Sequence, residues 1–164
     1  MTDMASIILF VISCAGGTIR GITRLQKILF LLQQEVGICN FHFMPFKFGP
    51  YSPEVTITVN SLEKQNLLKI DKEVGYSLLQ ENPTQVISLT DEGQLKAQEV
   101  AESLDTITRL KAQFIIDRFS RVPLTYLIAY IYAKYPEFTT LSEIKDAVRE
   151  WRSIYELRFQ ILPR

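Results

Sequence analysis

Apolar residues recur along this chain at two different spacings, and these spacings predict its secondary structure. Where every third or fourth residue is apolar, the pattern predicts a helix, as in the first 65 residues and again after residue 90. Shorter runs between turn residues predict strands between those two parts. The predicted helices are 3–14, 23–36, 53–65, 91–119, 123–134 and a last helix of about 20 residues from 140, with an extended segment at 41–48 and strands at 67–74, 76–80 and 85–89.

The predicted helices differ in how much of their surface is apolar. Helix 3–14 is apolar nearly all round, and a helix of that kind is expected to be buried. Region 91–119 is expected to form one long helix or two collinear ones. Its expected buried seam consists of Val100, Leu104, Ile107 and Phe114.

Turn and capping residues predict where the helices begin. The motif Gly49-Pro50-Tyr51-Ser52-Pro53 predicts a turn that starts a helix, because Gly49 permits backbone angles closed to other residues and Pro53 suits a first helical position. The hydroxyl of Ser52 is expected to cap this helix, and that of Thr90 is expected to cap the helix from 91. The capping-box pattern Thr140-Leu141-Ser142-Glu143 is expected to start the last helix.

The order helix, helix, extended segment, helix and hairpin is that of a winged helix-turn-helix. We therefore predict an α+β protein that is mostly helical, with a winged-helix-like domain over 1–90 and a helical packing or dimerisation region over 91–164. Helix 53–65 is the predicted recognition helix, and 67–89 is the predicted wing. Trp151, Tyr155 and Phe159 give the last helix more apolar surface than a short tail needs, which favours a homodimer through the C-terminal helices.

Composition narrows the class of protein further. A hydrophobic content of 47%, with ten Phe, seven Tyr and one Trp, predicts a globular chain. Lys and Arg number 18, as do Asp and Glu, so the net charge of zero disfavours strong non-specific binding to nucleic acid. Cys14 and Cys39 lie in or beside apolar segments and are expected to be reduced, which favours a cytoplasmic protein. The apolar run 7–12 is too short to span a bilayer and has no Lys or Arg before it, so no membrane association is expected.

The sequence predicts no catalytic residue, metal site or cofactor, so an enzyme is not expected. His42 is the single histidine, and a zinc site would need three or four ligands. The glycines of 16–23 have the spacing of a phosphate-binding loop, but Ile22 stands where that loop requires lysine.

Nine residues are candidate contacts to nucleic acid. Arg20, Arg24 and Lys27 have the spacing of a basic stripe along the second helix, which could contact phosphates or could be an ordinary solvated face. The other candidates are Thr56, Thr58, Asn60, Ser61 and Lys64 on the third helix, whose side chains could hydrogen-bond base edges, and Lys69 on the wing. Acidic neighbours offset this charge.

The quoted motifs also carry a family resemblance. Segments 24–32, 43–55, 62–68 and 89–93 together resemble the YwgA-like family of uncharacterised bacterial and archaeal proteins, over roughly residues 20–95. A more distant likeness is to the SocA-like (Panacea) antitoxin domain, which also places a Gly-Pro turn before a helix but differs upstream of it. The resemblance implies no particular activity and supplies no catalytic residue.

Two functions therefore remain open from the sequence. One is a non-enzymatic winged-helix regulator that binds double-stranded DNA as a homodimer. The other is a protein-interaction module, antitoxin-like or adaptor-like, on the same scaffold. If the candidate cations converge on one face with the third helix, DNA is favoured, and if they scatter, a protein partner is favoured.

Overall fold

The structure, a computed structural model, describes residues 3–74 and 83–161, with side chains described as far as residue 156. The predicted strand 76–80 and the side chain of Phe159 lie outside the described residues. The described chain confirms a mostly helical α+β fold. Its elements are α1 (Met4–Cys14), β1 (Thr18–Arg20), α2 (Ile22–Glu35), β2 (Met44–Phe46), β3 (Gly49–Tyr51), α3 (Pro53–Lys64), β4 (Leu68–Glu73), β5 (Thr84–Leu89), α4 (Asp91–Ser103), α5 (Thr106–Ser120), α6 (Leu124–Lys134), a 3₁₀ turn (Pro136–Phe138) and α7 (Lys145–Ile161).

Two small antiparallel sheets join these helices. The larger sheet has the strand order β1-β5-β4, and Ile87 of β5 lies between Ile19 of β1 and Ile70 of β4. Strands β2 and β3 form a separate hairpin. Strand β1 was not predicted, because three residues are too few to show an alternating pattern and its pairing with β5 is formed far along the chain.

Helix α1 is at the centre of the hydrophobic core, as its sequence predicted. Residues 7–12 are all at most 2% exposed. Helices α3, α4 and α5 and strand β5 pack around α1, so each of its faces meets apolar neighbours. Because α4 and α5 pack on α1 and α2, one core contains residues from both predicted regions. The domain boundary at residue 90 stays a prediction.

Region 91–119 is two helices separated by an extended step. Leu104 and Asp105 have ψ angles of 140° and 153°, and the carboxylate of Asp105 caps α5 by accepting from the Thr108 N–H at 2.9 Å. The cap at Thr90 is confirmed, since its hydroxyl accepts from the Gly93 N–H at 3.0 Å. The break changes the rotational phase of α5 relative to α4, and the predicted seam cannot continue across it.

The predicted start of the last helix at Thr140 is wrong. Helix α7 begins at Lys145, because the residues of the expected capping box make tertiary contacts instead. Tyr132 donates to the Ser142 hydroxyl at 2.6 Å, and the Glu143 N–H donates to the Lys47 carbonyl at 2.8 Å. The segment is thereby held to α6 and to the β2–β3 hairpin.

Helix α7 packs on α6 of its own chain. Ile128, Ala129, Tyr132 and Val148 form a second small cluster, and Trp151 and Tyr155 are partly buried against it. Trp151 and Tyr155, two of the apolar residues that suggested dimerisation through α7, therefore pack against α6 of the same chain. No helix in the two described ranges is both long and apolar enough to cross a membrane.

Gly93 supplies a test of how closely α4 approaches Leu67, the residue before β4. A Cβ atom added at Gly93 would lie 2.0 Å from the backbone oxygen of Leu67, a contact that no side-chain rotation relieves. We expect Gly93→Ala to lower the free energy of unfolding by about 2–3 kcal/mol, as overpacking does. Denaturant unfolding followed by circular dichroism measures this, with the exposed Gln98→Ala on the same helix as the control. In an open helix Gly→Ala stabilises by about 1 kcal/mol, so an unchanged or raised stability would contradict the close approach.

Candidate interaction surface

Polar side chains of α2 hold the irregular segment that follows it. The Gln26 amide donates to the Ser52 carbonyl at 2.8 Å and accepts from the Ser52 N–H at 3.0 Å. Two turns further along α2, the Gln33 amide donates to the Phe41 carbonyl at 2.9 Å and accepts from the Phe41 N–H at 2.7 Å. We call Gln26, Gln33 and Lys27, with the backbone groups that they bind, the α2 clamp.

Lys27 completes the α2 clamp from a buried position. Its ammonium donates to the Pro50 carbonyl at 2.9 Å, and the residue is only 2% exposed. Buried backbone groups need partners, and the short strands β2 and β3 supply few. The α2 clamp supplies those partners and fixes the turn at residues 49–52.

The turn itself confirms one prediction and corrects another. Gly49 has φ +91°, and an added Cβ atom would lie 2.9 Å from the Tyr132 ring, so glycine is required on both counts. Ser52 lies at the cap position of α3, but its side chain makes no capping hydrogen bond. Its buried hydroxyl has no hydrogen-bond partner within the described residues, because Gln26 holds the Ser52 backbone instead.

The predicted basic stripe of Arg20, Arg24 and Lys27 is not formed. Helix α2 begins at Ile22, so Arg20 lies on β1, where it forms an exposed ion pair with Glu73. Arg24 is half-buried, and its guanidinium donates to the Phe119 carbonyl at 3.0 Å and the Val122 carbonyl at 2.8 Å.

Arg24 thereby satisfies the C-terminal end of α5, where carbonyls lack helical partners and cations are favoured. Burial lowers the pKa of its guanidinium. Two of the three cations are thus directed at carbonyls of the chain itself.

Part of the predicted recognition surface is exposed together on α3. Asn60, Ser61 and Lys64 are exposed on α3, and Ile57, which is 66% exposed, lies one turn before Ser61. Thr58 bonds the Glu54 carbonyl of its own helix at 2.7 Å, and Thr56 is half-buried with its hydroxyl 3.5 Å from the Tyr51 hydroxyl. Lys69 is exposed on β4 and lies 3.6 Å from Asp71.

A larger apolar surface lies on α5, where the sequence did not place it. Ile107, Leu110 and Phe114 are 66%, 57% and 69% exposed. Their spacing of three and four residues aligns them on one face, which we call the α5 row. Ile107 and Phe114 were predicted to be buried, and this is wrong. The buried residues of α5 are instead Ala112, Ile115, Ile116 and Phe119.

Charged side chains flank the α5 row along its length. Asp105 caps the N-terminal end, Arg109 and Lys111 follow it, and Asp117, Arg118 and Arg121 lie towards the C-terminal end. Arg118 lies over the Phe119 and Tyr130 rings, 5.0 and 5.2 Å from their centroids. A groove of about 390 Å³ lies beside the row, between α5 and the C-terminal end of α2. Its lining residues are Leu110, Lys111, Phe114, Ile115, Arg118 and Phe119 of α5, with Glu35 and Val36 at the end of α2.

Both cysteine thiols, Cys14 and Cys39, are half-buried. Burial raises the pKa of the Cys14 thiol to about 11 and that of Cys39 to about 12, so both are protonated at neutral pH and are weak nucleophiles. In the part of the chain that the structure describes, no three His, Cys, Asp or Glu side chains lie close enough together to hold a metal ion.

Comparison with protein families and with curated proteins finds no match. The likenesses to the YwgA-like family and to the SocA-like domain stay predictions that rest on the motifs quoted above.

The α2 clamp is tested by removing its central amide. Gln26→Leu keeps the volume of the side chain but leaves the Ser52 N–H and carbonyl buried without their partner. We expect the free energy of unfolding to fall by about 3 kcal/mol, since each orphaned buried group costs about 1–3 kcal/mol. Gln34→Leu, at an exposed position of the same helix, is the matched control and is expected to have little effect. Equal stability of the two variants in urea unfolding would rule out the clamp as a stabilising element.

Proposed function

We propose that this chain is a non-enzymatic regulatory protein that acts through protein contacts, on a winged-helix scaffold, and that the α5 row is its contact surface. The observation that carries the proposal is the α5 row itself, three large apolar side chains more than half exposed on one helical face. Contiguous apolar surface of this kind is typical of protein interfaces. Protein binding is also favoured over DNA binding because Arg24 and Lys27 donate to backbone carbonyls of the chain itself.

The order of elements supports the winged-helix scaffold. Three helices, with a short strand between the first two, precede the β4–β5 pair. In the sheet order β1-β5-β4, strand β1 pairs with β5 and so extends the β4–β5 pair to three strands. The scaffold by itself decides neither partner nor activity, which depend on the exposed surfaces.

The occupant that we propose for the α5 row is a second copy of this chain. In an antiparallel pair related by a two-fold axis, Leu110 of one copy lies opposite Phe114 of the other. Asp105 of one copy then lies near Arg118 and Arg121 of the other. A two-fold axis repeats this pairing of opposite charges at both ends of the contact.

Such a homodimer is tested by sedimentation velocity over about 1–300 μM protein. Because one helical face is a small interface, we expect a weak dimer with a Kd in roughly the micromolar range. Phe114→Glu should leave the chain monomeric at every concentration, because it places two carboxylates at the centre of the pair. Leu95→Glu is the matched control, since Leu95 is 64% exposed on α4, and this variant should dimerise as the unmodified chain does.

Two results would count against this arrangement. An unmodified chain that stays monomeric at about 300 μM excludes a second copy as the occupant. Loss of the dimer in Leu95→Glu as well as in Phe114→Glu would place the contact elsewhere.

The proposed cytoplasmic location is supported by the two free thiols, Cys14 and Cys39.

A second candidate function is binding of double-stranded DNA through α3. Asn60, Ser61 and Lys64 favour it, because they are exposed together on one element and can reach base edges or phosphates. Arg20 and Lys69 are also exposed, but each has an acidic neighbour. This candidate ranks second because Lys64 is the single cation that α3 offers for phosphate contact.

DNA binding predicts fluorescence anisotropy that rises when duplex is added at 50 mM salt and falls steeply as salt increases. Lys64→Ala should weaken binding and lower the slope of log K against log salt by about 0.9, the value for one phosphate contact. Lys96→Ala, at an exposed position on α4, should leave both unchanged. Absence of salt-sensitive binding at 50 mM salt removes this candidate.

A further inference from the structure

A cavity of about 200 Å³ lies between the first two turns of α2 and the β2–β3 hairpin. No residue of α5 lines it, so it is separate from the α5 row. The residues that line the cavity are Ile22, Thr23, Gln26 and Lys27 of α2, and Phe46, Lys47, Phe48 and Tyr51 of the hairpin.

The inner wall of the cavity is polar and positively charged. Thr23, Gln26 and Lys27 are all at most 5% exposed, so their positions are fixed by packing. Lys27 is held further by its bond to the Pro50 carbonyl. Lys47 adds a second ammonium from the hairpin, and the residues that line the cavity include no Asp or Glu. The two ammonium groups among the lining residues favour an anion in the cavity.

The outer wall is aromatic. The Phe46 and Tyr51 rings stack with their centroids 5.0 Å apart and an interplanar angle of 29°. Phe46 is 41% exposed, and the ammonium of Lys47 lies 5.9 Å from the centroid of its ring. An apolar wall beside a few fixed polar groups is the usual construction of a small-molecule site.

The size of the cavity limits the ligand. At ~30 Å³ for each water molecule, the cavity holds about six or seven waters. It is smaller than the roughly 300–1,000 Å³ of sites for drug-sized ligands. A single ring with one anionic group fits this space, whereas a larger cofactor does not.

We propose that this cavity binds a small aromatic anion, a carboxylate or a phosphate monoester. The anionic group is placed towards Lys27 and Lys47, and the ring lies against Phe46 and Tyr51. The site is independent of the homodimer, because its residues belong to α2 and the hairpin alone.

Binding is measured by isothermal titration calorimetry with four probes. Benzoate and phenyl phosphate carry both the ring and the anion, benzyl alcohol carries the ring alone, and inorganic phosphate carries the anion alone. We expect at least one aromatic anion to bind with a Kd of about 1 mM or tighter and both partial probes to bind at least tenfold more weakly. Benzoate against phenyl phosphate distinguishes the carboxylate from the phosphate source.

Variants then locate the binding. Lys47→Gln changes an exposed side chain and should weaken binding by about threefold to fivefold, the effect of one partly exposed ion pair. Lys69→Gln, at an exposed lysine of β4, is the matched control and should bind as the unmodified chain does. Lys27→Met should abolish measurable binding, with circular dichroism showing whether the variant keeps its fold.

If Lys27→Met does not fold, the affinity of Lys47→Gln for the aromatic anions tests the proposal instead. The proposal is overturned if neither aromatic anion binds at 10 mM probe, if benzyl alcohol binds as tightly as the anions, or if Lys47→Gln leaves the affinity unchanged. Equal affinity for inorganic phosphate would overturn the role of the aromatic wall.

Discussion

The structure depends on one kind of interaction, the pairing of buried α2 side chains with backbone groups of the segment that follows. Gln26 and Gln33 each present a donor and an acceptor to one residue, as a neighbouring strand would. They lie seven residues apart, so they are on one side of α2 and about 10 Å apart along its axis. The β2–β3 hairpin is too short to satisfy its own backbone, and α2 therefore determines where the turn at Gly49 lies and where α3 begins.

The same interaction decides which charged residues remain available for function. Arg24 and Lys27 have the spacing of a phosphate-contacting stripe, yet each donates to carbonyls within the chain. A cation in such a place stabilises the fold by satisfying buried acceptors, and its burial keeps it from the phosphates of a DNA duplex. The balance of exposed features consequently favours the apolar α5 row over a basic face.

Sequence patterns predicted the elements whose signals are local. The buried helix α1, the cap at Thr90 and the requirement for glycine at position 49 were all predicted, because each depends on residues close together in the chain. Strand β1 and the start of α7 were missed, because each depends on contacts with distant residues. The break at Leu104 was missed although its cap at Asp105 is local, because the apolar spacing continues across it. The α5 row was missed for a related reason: α5 is apolar on more than one face, and the sequence could not show which face the core would cover.

Helix α2 also relates the two proposed surfaces physically. Its first turn, with Ile22 and Thr23, lines the small cavity, and its C-terminal end at Glu35 lines the groove beside the α5 row. These ends are about 20 Å apart along a 14-residue helix. A shorter connection exists through Arg24, which follows Thr23 in sequence and bonds the carbonyls of Phe119 and Val122 at the end of α5. Arg24 therefore joins the first turn of α2, which lines the cavity, to the C-terminal end of the helix that carries the proposed interface.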